Sequence, residues 1–197
     1  MYLKINPKKI TGAETALIVK SLMAGEVIVY PTDTIYGLGC LATNEKAIKK
    51  IKAIKKREAS KPLLILVSSL NMAKKYCFIS KKQEIILKKV WANNRPTSVI
   101  LKQRNLLAKE LAPDQKGLAI RLPKSDFLRK IIRMVRVPIV STSFNLSGEP
   151  VLSQVDFFAN HILTKNDPNL IVDSGTLNNQ ASKIVDLMSG ELIIVRQ

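Results

Sequence analysis

A chain of 197 residues, 46% of them hydrophobic, has the material for one buried domain. Its 32 Lys and Arg against 15 Asp and Glu give a formal net charge of +17, which fits a polyanionic substrate or partner or a basic cellular background. The longest apolar run, PLLILV at 62–67, is far short of the roughly 20 residues a membrane span needs, the amino terminus lacks the apolar stretch of a signal peptide, and Cys40 and Cys77 make neither a metal spacing nor a disulfide framework. A soluble protein of a reducing cytoplasm is the expectation.

In chain order, AETALIVKSLMAG reads as an amphipathic helix closed by Gly25, and EVIVY after it as a strand. NEKAIKKIKAIKKRE is a second helix, with Asn44 as N-cap and Ala47, Ile48, Ile51 and Ile54 on one apolar face. The strand PLLILV follows, then two helices in SLNMAKKYCF and KKQEIILKKVW. TSVILK and GLAIRLP are strands, SDFLRKIIRMVR is a helix opened by Ser125, and VPIVSTS is a strand ending in hydroxyls. The last third predicts a helix from about Gln154 to Leu163 and three short strands, LIVD, KIVDL and ELIIVRQ. Interleaved strands and helices without a linker predict one α/β domain over 1–197, a twisted mixed sheet covered by helices.

Several chemistries can be set aside. His161 is the sole histidine and sits in a helical pattern, so neither a Ser-His-Asp triad nor a zinc site is expected. No P-loop is present. GLGCLA at 37–42 matches a dinucleotide fingerprint in form, but six residues separate Gly37 from the strand that would have to deliver it, so the match reads as accidental.

What remains are polar, phosphate-friendly pieces at strand ends. YPTDTIYGLG sets three hydroxyls and one carboxylate directly behind EVIVY. Residues 46–61 hold eight Lys or Arg; Lys46, Lys49, Lys50 and Lys52 read as a solvated helix face. Lys55, Arg57 and Lys61 fall where the helix gives out, at a junction where cations can hold phosphate oxygens. STSFNLSGEP repeats the logic, with small donors and acceptors that can approach a ligand closely, or else an ordinary self-capping turn.

YPTDTIYGLG, KKREASKPL, AIRLP and VPIVSTSFNLSG, in this order, resemble the YrdC/TsaC family of threonylcarbamoyl-AMP synthases from about Gly12 onward. The chain looks like the short, single-domain bacterial type. The resemblance implies a YrdC-like fold with a basic central cleft, and formation of threonylcarbamoyl-AMP and pyrophosphate from L-threonine, bicarbonate and ATP, with Mg2+ accompanying ATP. Transferase proteins would then pass the threonylcarbamoyl group to adenosine 37 (t6A37) of tRNAs reading ANN codons. It further implies Lys55 and Arg57 as catalytic and nucleotide-binding residues, joined at the nucleotide by Lys61, Ser143 and Asn145. Thr32, Thr34, Arg121 and Ser141 would hold threonine, and no protein metal ligand is expected.

The chain departs from the family pattern at Phe144, at WANNRPTS, at Val151 to Ser153, at Asp173 to Gly175 and in ASKIVD. Two other readings stand beside the synthase. One is a non-enzymatic protein binding tRNA or double-stranded RNA through its charge. The other is a carbamoyl-adenylate enzyme like the YrdC-like part of HypF.

Overall fold

The structure, a computed structural model, describes residues 1–113, 117–157, 164 and 166–196. In chain order the elements are β1 (Tyr2–Lys4), α1 (Gly12–Met23), β2 (Ile28–Tyr30), β3 (Gly37–Gly39), α2 (Glu45–Ile54), β4 (Leu64–Leu66), α3 (Leu70–Tyr76), α4 (Lys81–Ala92), β5 (Thr97–Lys102), a 3-10 turn at Lys109–Leu111, β6 (Gly117–Arg121), α5 (Asp126–Val135), β7 (Ile139–Ser143), β8 (Leu170–Asp173), β9 (Lys183–Asp186) and β10 (Ile193–Arg196). The strands form one mixed ten-stranded sheet in the order β1-β8-β2-β3-β7-β4-β6-β5-β9-β10.

Helix starts follow local chemistry. Thr11 and Ser80 close capping boxes with Glu14 and Gln83, and the side chains of Asn44 and Ser125 accept from Ala47 N–H and Leu128 N–H. The expected helix from Gln154 to Leu163, with His161, lies largely outside the described residues.

Strand alternation divides the core in two. Val27, Val29, Leu63, Ile65, Val99, Leu101 and Val140 point to one face with Ile48, Ile51 and Leu87 of α2 and α4. Ile28, Tyr30, Leu66, Ile139, Leu170 and Val172 point to the other, under Ile18 and Leu22 of α1 and Phe127, Ile131 and Ile132 of α5. The period of two sends neighbours to opposite faces, so a strand covered on both sides reads as a continuous apolar run.

Two strands are unanticipated. β1 pairs parallel with β8, a contact across nearly the whole chain that no local pattern announces. β3 is GLG, the start of the accidental fingerprint match and given no strand above; it pairs antiparallel with β2 and β7. PTDTIY is therefore a hairpin loop on the sheet, and the fingerprint glycines deliver no helix.

Candidate active site

A cavity of about 430 Å3 opens on the sheet face that α1 and α5 leave bare, with Ile100, Ala119, Arg121, Ser141 and Ser143 as its floor. These are the alternate positions of strands whose other faces carry Val99, Ile120 and Val140 into the core. Thr32 and Thr34 line it from the β2–β3 loop, Arg57 from the turn after α2, and Arg196 from β10.

The β2–β3 loop is tied by its own hydroxyls. Thr32 Oγ1 donates to Ile35 O at 2.6 Å and accepts from Thr34 N at 2.9 Å and Ile35 N at 3.2 Å, a hydroxyl-capped turn. Thr34, 2% exposed, accepts from Arg121 Nη1 at 3.1 Å, and its hydroxyl lies 2.8 Å from that of Thr32. With Thr32 donating to Ile35 O, the hydrogen bonds can all point one way, Arg121 donating to Thr34, Thr34 to Thr32 and Thr32 to the carbonyl.

Arg121 is 5% exposed and its Nη2 lies 2.6 Å from Asp33 Oδ1. Asp33 Oδ2 also accepts from Lys124 N–H at 3.1 Å. Asp33 was not among the expected site residues, yet it holds Arg121 at the cleft, and its position inside PTDT between Thr32 and Thr34 was the available signal. Arg121 Nε is buried with no hydrogen-bond partner among the described residues. Ser141 sits beside this group at 7% exposure.

The turn after α2 aims Arg57. Lys56 takes a left-handed conformation, φ 48°, which costs a non-glycine residue about 1 kcal/mol, and Arg57 N–H reaches back to Lys52 O at 2.9 Å. The Arg57 side chain donates from Nη2 to Pro62 O at 2.9 Å, while its Nε has no partner among the described residues.

Lys55 is placed differently. It turns inward, 2% exposed, and donates to Ser143 O at 2.6 Å, Asn145 O at 2.8 Å and Asn145 Oδ1 at 2.9 Å, which spends all the donors of an ammonium. Asn145 Oδ1 also accepts from Ser143 Oγ at 2.6 Å, and its amide donates to Glu149 O at 2.6 Å. Of the expected nucleotide residues, Arg57 and Ser143 line the cleft; Lys55 and Asn145 are the clamp behind it. Lys61 lines none of it, and its ammonium is paired with Glu58 at 2.8 Å on a side chain 53% exposed. Phe144 packs into the core, and its own backbone N–H donates to Tyr36 O at 3.0 Å.

Burial, with Arg57 adding to it, pulls the Lys55 pKa down to about 8 from its ordinary 10.5. A folded value below the unfolded one means that the unfolded chain binds more protons between those limits, so stability rises with pH across that window. Wild type should therefore gain on Lys55→Met by up to about 3 kcal/mol between pH 8 and 10.5 in paired denaturant titrations. A constant difference across that range would mean that the oxygen cage holds the proton in place.

A second tie supports the loop. Asp173, 2% exposed, accepts from Tyr2 Oη at 2.5 Å, Tyr36 Oη at 2.9 Å and Gly175 N–H at 2.8 Å. Tyr36 follows the PTDTI stretch and lines the cleft, so Asp173 fixes the loop from behind. The altered DSG segment thus acts through Tyr36, a partner 137 residues away in sequence.

Fold and site together define an α/β protein whose open sheet face presents arginines and hydroxyls in one cleft, a lining suited to small anionic ligands. Residues 20–197 match the family model Sua5/YciO/YrdC, described as Telomere recombination, and the chain belongs to that family. It is 34% identical to the threonylcarbamoyl-AMP synthase of Psychromonas ingrahamii over 164 residues, covering 79% of this chain and 82% of that protein. A variant of Pyrococcus abyssi Sua5 superposes with a TM-score of 0.87 at 25% identity, covering all 100% of this chain and 60% of that one. P. abyssi Sua5 complexed with L-threonine gives the same TM-score, 0.87, at 23% identity over 100% of this chain and 57% of that one, a likeness of fold.

Proposed function

We propose that this protein, one YrdC-like domain over 1–197, is an L-threonylcarbamoyladenylate synthase. It is a nucleotidyltransferase that forms threonylcarbamoyl-AMP and pyrophosphate from L-threonine, bicarbonate and ATP. The observation that carries the reading is the pairing, in one cleft, of a buried arginine with an unspent Nε and a second arginine on a turn built to present it. The threonylcarbamoyl-AMP synthase relatives supply the substrate class.

The chemistry brings anions together. An oxygen of N-carboxythreonine attacks the α-phosphorus of ATP, the bond to the β-phosphate oxygen breaks, and pyrophosphate leaves with that electron pair. Fixed cations lower such a barrier because they are already oriented when charge develops. Arg121 takes the threonine carboxylate, Thr34 and Ser141 its polar groups, and Thr32 holds their loop. Arg57 takes the leaving phosphates as a planar fork, with Ser143 beside it, and Lys61 joins at the tail by exchanging its Glu58 partner for phosphate. Lys55 and Asn145 keep the loop under the nucleotide in place. In-line orientation replaces a bimolecular encounter and supplies much of the remainder.

Among the described residues no group of three His, Cys, Asp or Glu converges to hold a metal, and Asp33 is occupied by Arg121 and Lys124 N–H. These residues do not fit a resident magnesium, so Mg2+ belongs to the ATP substrate. The product goes to transferase proteins that modify adenosine 37 of ANN-reading tRNAs in the cytoplasm. Among the described residues no helix is long and apolar enough to cross a membrane. A net charge of +17 also gives this chain a salt-dependent affinity for tRNA and double-stranded RNA.

The test is pyrophosphate release with ATP, magnesium and bicarbonate, comparing L-threonine with L-serine, L-alanine and no amino acid. Release should depend on threonine and fall about 100-fold in Arg57→Ala with RNA affinity little changed. Absence of threonine-dependent release from folded protein would overturn the reading.

A further inference from the structure

On another side of Arg57 lies a second cavity of about 490 Å3, lined by Lys49, Lys52, Arg57, Lys109 and Glu110 with Ala59 and Pro113. Arg57 is the one described residue lining both this cavity and the cleft. Among the described residues four cations thus face a single carboxylate, and the local fold explains why. Lys49 and Lys52 stand three apart on α2 and share a face, and the 3-10 turn at Lys109–Leu111 brings Lys109 and Glu110 against it.

The solvated-face reading fails at Lys52, which is 7% exposed. Its ammonium donates to Ala59 O at 2.5 Å, and its other N–H groups have no partner among the described residues. Arg57 Nε is likewise buried and unpaired. Glu110 answers only part of this charge: Oε1 lies 3.2 Å from Lys49 Nζ, and Oε2 is buried without a partner. Burial, reinforced by Arg57, lowers the Lys52 pKa against the opposing pull of Glu110. Lys49 and Lys109 stand at the exposed rim while Lys52 and the Arg57 Nε are withdrawn from water, and two like charges held there with unspent donors are unfavourable until an anion joins them. The volume falls within the range of small-ligand sites, and two adjoining tetrahedral phosphates offer enough acceptors for the unspent donors of Lys52, Lys109 and Arg57.

We infer that this cavity is a second anion site, selective for inorganic pyrophosphate, and coupled to the cleft through the shared Arg57 side chain. That the cleft supplies the pyrophosphate rests on the synthase reading; binding of pyrophosphate to the cavity does not. Arg57 then contacts the leaving group on one side and the departed product on the other, so the cavity draws pyrophosphate away from the nucleotide.

The experiment is calorimetric titration of the full chain with pyrophosphate while threonine and a non-hydrolysable ATP analogue fill the cleft. One pyrophosphate should bind per chain, more tightly than orthophosphate. Loss of one charge-assisted contact should weaken it about tenfold in Lys109→Ala and in Lys52→Met. Glu110→Gln, which removes the opposing carboxylate, should tighten it, an effect that a merely structural role would not produce. Lys109 is exposed, so its variant remains informative if Lys52→Met does not fold.

Unchanged affinity in Lys109→Ala, disappearance of binding once the cleft is filled, or displacement by a short RNA duplex at lower concentration than by pyrophosphate would each overturn the inference. If the analogue fails to bind, the synthase reading falls, and the titration repeated without it still reports on the cavity through the same variants. To separate the sources, pyrophosphate added during turnover should inhibit wild type without full relief by ATP. In Lys109→Ala the inhibition should become fully ATP-competitive, as expected if only the cleft then holds pyrophosphate; an unchanged pattern would mean that the cavity fills from solution and does not communicate with the cleft, which overturns the coupling.

Discussion

Asp33→Ala should cost about 3–5 kcal/mol of stability and raise the KM for threonine by more than tenfold while changing kcat less. The ion pair it breaks is nearly dry, with the Arg121 and Asp33 side chains 6% and 12% exposed and 2.6 Å apart. Removing one partner leaves a guanidinium buried without its counter-charge, which costs more than the pair itself ever contributed. Lys124 N–H loses its acceptor as well, so the connection between β6 and α5 loosens with the cleft. Asp33→Asn keeps the volume and an acceptor and should lose less on both measures. Urea titration and initial-rate kinetics check this together, and wild-type stability in Asp33→Ala would remove the case for Asp33 as the holder of Arg121.

Gly39→Ala is the second large effect, above about 4 kcal/mol, because it forces a clash that no rotamer relieves. A Cβ at Gly39 would fall on Val140 O and stand 2.8 Å from Tyr30 Oη. Neither neighbour can yield cheaply. Tyr30 is buried with its hydroxyl donating to Val140 O at 3.0 Å, and Val140 N–H is bonded to Cys40 O at 2.8 Å. Glycine is required here for close approach in the sheet, in an ordinary strand conformation. Gly12→Ala, where an added Cβ meets nothing within 4 Å, is the matched control and should unfold at the wild-type midpoint or slightly above it. A Gly39→Ala protein unfolding with its control would mean that the β3–β7 contact can part without loss.

Much of the fold is legible in the chain. The caps at Asn44 and Ser125 are local chemistry, since a short polar side chain one position before an apolar periodicity has few other uses. TSVILK is a strand over the expected residues, and α2 and α5 carry the apolar faces that their spacing announces. β1 and β3 escape because neither sits in an apolar run of the kind that announces β2 and β4, which are as short: YLK ends in a lysine and pairs with distant Leu170–Asp173, and GLG offers one side chain between two glycines and is completed by β2 and by Thr142 and Ser143. Three residues without an apolar run around them leave no pattern to read.

The site divides in the same way. Composition and motif order determined by themselves that the chain carries a basic, hydroxyl-rich set of strand ends and belongs among YrdC-like sequences, because residue type and spacing are properties of the chain. Tertiary structure decided what each residue does with its polar atoms. Lys55 and Arg57 are two residues apart, yet a left-handed Lys56 sends one into an oxygen cage and the other into the cleft. Lys52 belongs to the same run of lysines and is buried against a second cavity, while its neighbour Lys49 keeps a side chain 66% exposed. Burial, partners and the bare face of a sheet are set by what packs across it, and a linear pattern holds no record of which side that will be.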